Sequence, residues 1–365
     1  MLFVCFYNLF WVIVLDVRER VFAALEWRDL DYVPWIVKSG HLPRGEWERL
    51  LRNRGLGVSI SGSVFRVVFR DVVFSRIVKG DYIYNICETP VGSLREVTRT
   101  GLPSEGGERS DKWVVEHMVK SVDDFKVLEY LFEDMVFEPC FRDFELVDEA
   151  LGGDGVAYAG VGYSPLMELI VRYMGFRNFA RVFKSDPGRL EDVLEVIHEK
   201  KLEVCRLVAE SPARIVLIGD NIDEVLVDHR LFRKYCVPFY QEYTDVLRSR
   251  GKIVGSHMDG RLRSLRELIA EAGFDFIHGF TPPPGGNLGL GEARESWGRT
   301  ALWVNIPEVV FYEDASSIVG YVRGLLGGDC KRGLILGITE TVPPSERVKG
   351  YTAVLEAVLS YGKVG

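Results

Sequence analysis

VAYAGV (156–161), ARIVLIGD (213–220), KIVGSHMDG (252–260), FDFIHGF (274–280), TALWVNIP (300–307) and GLILGITE (333–340) are short apolar runs. The segments between them, such as LFRKYCVPFYQEYTDVLRSRG (231–251) and SSIVGYVRGLLGG (316–328), are long enough for crossover helices. Buried strands alternating with helices are the mark of βαβ units and a parallel sheet. Upstream, VPWIVK (33–38) supplies a seventh run, and an eighth lies near GVSIS (57–61). The α/β fold class expected is therefore a single closed (β/α)8 TIM barrel over residues 18–365, with a doubly wound open sheet as the alternative. No GxGxxG follows the first strand, which disfavours a Rossmann domain.

The N-terminal third departs from this pattern. Between Gly55 and Thr100 the sequence alternates β-branched and polar residues, as in VSISGSVFRVVFRDVV and DYIYNICETPVGSLREV, with turn signals at Gly62, Gly80 and Gly92. An antiparallel β excursion over about residues 55–100 is expected there. LPSEGGERSD (102–111) reads as a loop, and SVDDFKVLEYLFED (121–134) as a helix with an N-cap signal at its start. RERVFAALEW (18–27) reads as an amphipathic helix. The apolar stretch from Leu2 to Leu15 within residues 1–17 has no basic n-region and is shorter than the roughly 20 residues of a transmembrane helix. A mis-called start or a segment packed on the domain is expected.

The chain has 365 residues, 47% hydrophobic and 27% charged, a balance that excludes extensive disorder. Lys and Arg total 45 against 53 acids, for a net charge of −8, so a nucleic-acid binder is disfavoured. The six cysteines form no CxxC pair, which argues for reduced thiols and a cytoplasmic protein without membrane association. Cys330 precedes the last strand and belongs on the face opposite a barrel's active site. His117 and His198 fall in apparent helices and His229 in a polar turn, and all three read as surface residues.

In a parallel barrel, chemistry sits at the C-terminal ends of the strands. His257 and Asp259 end one run at spacing i, i+2, which places both side chains on one face of an extended segment with Cα atoms about 6.6 Å apart. That is a usable metal half-site. His278 and Glu340, on later strands, complete a mixed nitrogen and oxygen set suited to zinc or another divalent ion. Asp220, Asn305 and Tyr163 follow other runs and are candidates for orienting a small-molecule substrate. FTPPPGGNLGLGEAR (280–294) reads as a rigid loop over the mouth running into a helix.

RERVFAALEW, DYVPW, ETPVGSLREV, SVDDFKVLEY, GDNIDEVLVDHRLFRKYCVPFYQEYTDVLRSRG and the strand ending HMDG together resemble the uroporphyrinogen decarboxylase superfamily. That superfamily includes the decarboxylases of haem synthesis and zinc-dependent corrinoid methyltransferases, and its fold is a (β/α)8 barrel. The decarboxylases carry an R-Q-x-G-R-Y signature after the first strand. Here that region reads VPWIVKSGHLPRGEW, with only Lys38 and Arg44 as cations, and GITETVPP replaces the stretch that bears their late histidine. An octa-anionic tetrapyrrole needs more convergent cations than these.

The methyltransferases hold zinc through His-x-Cys and a second Cys near the last strand. This chain has His257 in the matching place, Asp259 where the first Cys stands, and Glu340 near the second. The resemblance implies a metal-dependent methyltransferase, closer to that branch, acting with a separate corrinoid protein, because no DxHxxG cobalamin signature is present. Harder carboxylate ligands imply a more Lewis-acidic ion than thiolates give. The alternatives are a decarboxylase of uroporphyrinogen or another carboxylic acid, and a non-catalytic tetrapyrrole- or corrinoid-binding accessory protein.

Overall fold

A computed structural model describes residues 15–102, 111–327 and 331–364. Eight parallel strands close into a barrel: β1 (Trp35–Lys38), β2 (Leu56–Ser61), β3 (Gly155–Gly162), β4 (Ile215–Gly219), β5 (Ile253–His257), β6 (Phe276–Phe280), β7 (Ala301–Asn305) and β8 (Leu334–Ile338). Neighbours in sequence are neighbours in space, and β1 closes the barrel on β8 with Trp35 opposite Leu336. Strands β7 and β8 are buried at every residue, which is why they read as continuous apolar runs rather than alternating ones. The open-sheet alternative is thereby excluded. The helices read from the sequence lie outside the barrel, among them Pro187–Ala209, Val237–Arg248 and Ala315–Leu325. None of the described helices is long and apolar enough to cross a membrane.

The helix Val17–Leu25 begins at a capping box formed by Asp16 and Glu19. Its buried Val17, Val21, Ala24 and Leu25 cluster with Ile36, Val156, Ile215, Phe276 and Ile335, which lie at or near the starts of their strands. The helix therefore plugs the N-terminal end of the barrel, each such buried aliphatic contributing roughly 1.5–3 kcal/mol. The opposite end stays open for chemistry.

The excursion divides differently from the stretch 55–100. Its first residues, Leu56–Ser61, are barrel strand β2, and the antiparallel strands run from Phe65 to Pro139. Phe65–Phe69 pairs with Met135–Pro139, while Val73–Lys79, Tyr82–Thr89, Gly92–Leu102 and Asp111–Glu116 form a separate four-stranded sheet. The helix Phe125–Asp134 packs between the four-stranded sheet and the helix Pro187–Ala209, preceded by the Ser121 and Asp124 capping box. Residues 1–14 and Cys330 lie outside the described residues.

Two histidines depart from the surface reading. His117 follows the strand Asp111–Glu116 rather than lying in a helix, and it is half-buried. His198 is in a helix but buried, with Nδ1 3.0 Å from the Tyr243 hydroxyl and Nε2 2.9 Å from Glu242. A buried imidazole with both nitrogens paired meets the rule for interior polar groups. His229 is exposed at the start of the helix His229–Tyr235.

Candidate active site

All eight strands contribute to a cavity of about 430 Å³ at the C-terminal end of the barrel. Its floor is aromatic, with Tyr158, His257, His278 and Trp303 on the inner surface. His257 and His278 are register partners across β5 and β6, and His278 is in turn opposite Trp303 on β7. Partners in a parallel pair share a face of the sheet, so three inward rings stand side by side. The His278 and Trp303 rings are 5.1 Å apart, centre to centre.

The two histidines meet through their Nδ1 atoms at 2.9 Å. One ring N–H donates to the other's lone pair, so the pair shares a single proton between these atoms. Burial, followed by the nearby charges of His257 and Lys38, pushes the His278 pKa well below the usual imidazole value. His278 is neutral. On the other side of the ring, His257 Nε2 lies 3.4 Å from Asp259 Oδ2. Burial would raise the Asp259 pKa, but the His257 contact and charge outweigh it and the net shift is downward.

A bulge makes this packing possible. The register between β6 and β7 slips between His278 and Phe280, leaving Gly279 as the extra residue. Gly279 has φ +75°, and a Cβ there would stand 2.6 Å from His257 Nδ1. Gly279→Ala is expected to cost about 1–2 kcal/mol through the left-handed backbone alone. The intruding methyl also displaces the His257 ring, so activity should fall at least 10-fold with only a modest loss of melting temperature. Parallel turnover and thermal-denaturation measurements check both halves.

The remaining residues singled out from the sequence fall into distinct places. Tyr163 lines the cavity, with the Arg172 guanidinium 5.4 Å from its ring centre, and burial raises its phenol pKa. Asp220 does not line the cavity. It is fully buried, accepts from the Ser164 N–H at 2.5 Å and from the Tyr240 hydroxyl, and so fixes the backbone next to Tyr163. Asn305 is also fully buried, donating to Thr281 Oγ1 at 3.1 Å and accepting from the Thr339 N–H at 2.9 Å. Both are positioning residues that tie strand exits together.

Glu340 is half-buried and accepts from the Glu308 N–H, and burial raises its pKa. Its carboxylate is turned to that amide rather than to the histidines. Among the described residues, no three His, Cys, Asp or Glu side chains are gathered as a metal-holding group. The set of four read from the sequence is thus divided: His257 faces Asp259 at 3.4 Å, His278 meets the other nitrogen of His257, and Glu340, though near enough to feel the Asp259 charge, is bonded to the Glu308 amide.

Sequence reasoning missed Arg172, Asn221 and Thr339, which all line the cavity with Lys38. Asn221, at φ +47°, donates its N–H to the His257 carbonyl at 3.0 Å. Thr339 Oγ1 is buried and has no hydrogen-bond partner among the described residues. Arg44 is outside the cavity, paired with Glu48 at 3.3 Å.

Residues 101–361 match the family model described as uroporphyrinogen decarboxylase. No curated protein matches the chain's sequence. Among solved structures, it is similar to a methyltransferase from Methanosarcina mazei at 14% identity and a TM-score of 0.60, over 95% of this chain and 99% of that one. A catalytic module of a pneumococcal exo-beta-D-N-acetylglucosaminidase is a more distant likeness, at 10% identity and a TM-score of 0.40, over 94% of this chain and 87% of that one. At these identities the structural likeness speaks to the fold alone.

Proposed function

The chain belongs to the uroporphyrinogen decarboxylase family, and from that premise we propose that it is a metal-dependent methyltransferase working on a small molecule with a separate corrinoid protein. One observation carries the reading. His257 Nε2 and Asp259 Oδ2 are 3.4 Å apart at the exit of β5, and neighbouring ligands on a tetrahedral ion with bonds of about 2.1 Å are themselves about 3.4 Å apart. These two residues would hold a divalent ion, zinc above others, with substrate and water supplying the rest of its shell. When bound, the ion supplies Lewis acidity to a substrate oxygen or sulfur.

The chain's own groups do the positioning. Neutral His278, bonded to the far nitrogen of His257, fixes that ring's orientation as outer partners of metal ligands do. Lys38 and Arg172 attract an anionic group into the cavity, and the protonated Tyr163 phenol offers a donor at its wall. Tyr158 and Trp303 narrow the floor and exclude water.

The test is elemental analysis of tag-free protein before and after incubation with zinc, with absorbance assays of methylcobalamin demethylation by thiol and phenol acceptors. Near-stoichiometric metal is expected in the parent, lost in His257→Ala and Asp259→Ala but kept in Glu340→Ala. Absence of both metal and demethylation would overturn the reading. Carboxy-lyase action is the second reading, favoured by two cations, Lys38 and Arg172, at one cavity. Carbon dioxide release from a carboxylate by metal-free protein would establish it, and tight corrinoid or tetrapyrrole binding without turnover would instead indicate an accessory role.

A further inference from the structure

The barrel-mouth cavity does not end at the barrel. A second cavity of about 520 Å³ lies under the strands Phe65–Phe69 and Met135–Pro139, and it shares Ser61, Gly160, Gly162 and Arg172 with the first. A third, of about 490 Å³, lies against Phe69 and Phe74 and shares Tyr163 and Arg172 with the first. Arg172 is the residue common to all three. It belongs to a π-helical stretch, Glu168–Met174, a widened turn of the kind found at functional sites.

The chemistry of this junction is asymmetric. Glu168, only 6% exposed, faces Arg172 Nε at 3.2 Å and Lys201 Nζ at 2.7 Å. One buried carboxylate thus serves two cations, leaving a net positive charge where the cavities meet. Lys201 reaches this position past Gly162, at φ +80°, whose added Cβ would stand 2.6 Å from its Nζ. Arg172 uses Nε on Glu168, its guanidinium lies over the Tyr163 ring, and its side chain, 56% exposed, lines all three cavities. Beyond it the second cavity is lined by Phe65, Val67, Phe132, Met135 and Phe137, together with Lys200 and the Glu168-paired Lys201.

We infer that the substrate is an elongated carboxylate with an apolar body: Arg172 holds its acid group at the junction, the body lies beneath the two-stranded sheet, and the reacting end points toward His257. A guanidinium suits a carboxylate, and an aromatic groove continuous with the site suits an apolar body. The inference rests on the barrel mouth being the reaction site, but binding can be measured without metal or turnover.

The experiment is calorimetric titration of the full chain with three probes: 4-phenylbutyrate, butyrate and 4-phenylbutanol. 4-Phenylbutyrate should bind at least 10-fold tighter than either of the others. Arg172→Gln should erase its advantage over the alcohol without weakening the alcohol. Val67→Trp, which fills the groove from a partly exposed strand, should erase its advantage over butyrate, as should Phe137→Ser, with melting temperatures confirming that each variant folds. Equal binding of the three probes, no binding of 4-phenylbutyrate, or an unchanged acid-to-alcohol ratio in Arg172→Gln would overturn the inference. Failure of the methyltransferase reading has a different signature, absent metal and absent demethylation with these binding ratios intact.

Discussion

His257→Ala is expected to lower turnover by at least 1000-fold while leaving the barrel folded. His257 touches both His278, at 2.9 Å, and Asp259, at 3.4 Å, so its removal breaks both relations at once. The structural cost is smaller, about 1–3 kcal/mol for the buried His278 nitrogen left without a partner. His278→Ala should cost less activity, because it frees the His257 ring without removing its Nε2. The double variant should be no worse than His257→Ala, since residues acting as a unit are not additive. Kinetics of the two single variants and the double, with thermal denaturation of each, check the pattern. Less than a 10-fold loss in His257→Ala would remove this pair from the chemistry.

The barrel was legible because seven of its eight strands are short apolar runs whose burial needs no partner information, whereas β2 (LGVSIS) lies in the stretch read as the alternating excursion. The excursion was legible only as β-rich sequence. Phe65–Phe69 pairs with Met135–Pro139, on the far side of the four-stranded sheet, and no local periodicity encodes a pairing that distant. His257 and His278 could be read from their places at the ends of apolar runs. Asp220 could have been separated from the rim by parity: Leu217 and Gly219 line the cavity, so the next residue points away from it. Gly279, an isolated glycine inside a strand pattern, was a readable sign of the bulge. Arg172 had no such sign, because in a helical stretch a charge reads as a solvated face, and only the π-helical widening and the fold of the excursion bring it over the barrel mouth.

Asp220→Ala is expected to destabilise the protein by several kcal/mol and to lower its melting temperature by on the order of 5 °C or more. The Ser164 N–H and the Tyr240 hydroxyl both donate to this fully buried carboxyl, and each loses its acceptor at about 1–3 kcal/mol. Asp220→Asn keeps the shape and one acceptor, and it isolates the charge. Burial raises the Asp220 pKa from 3.8 to about 6, against the opposing hydrogen bonds from Tyr240 and Ser164. The folded state therefore binds this proton more tightly than the unfolded chain does. Its contribution to stability is complete below pH 3.8, is lost as pH rises to about 6, and is level above that. The loss amounts to about 3 kcal/mol. Melting curves of the parent and Asp220→Asn should accordingly move in the variant's favour between pH 4 and pH 6.5 and then run parallel. A difference that stays constant across that range would mean that Asp220 ionises in the fold as freely as in the unfolded chain. Because Asp220 lies outside the cavity and acts on it through Ser164 and the neighbouring Tyr163, the same variant should alter KM before it alters kcat.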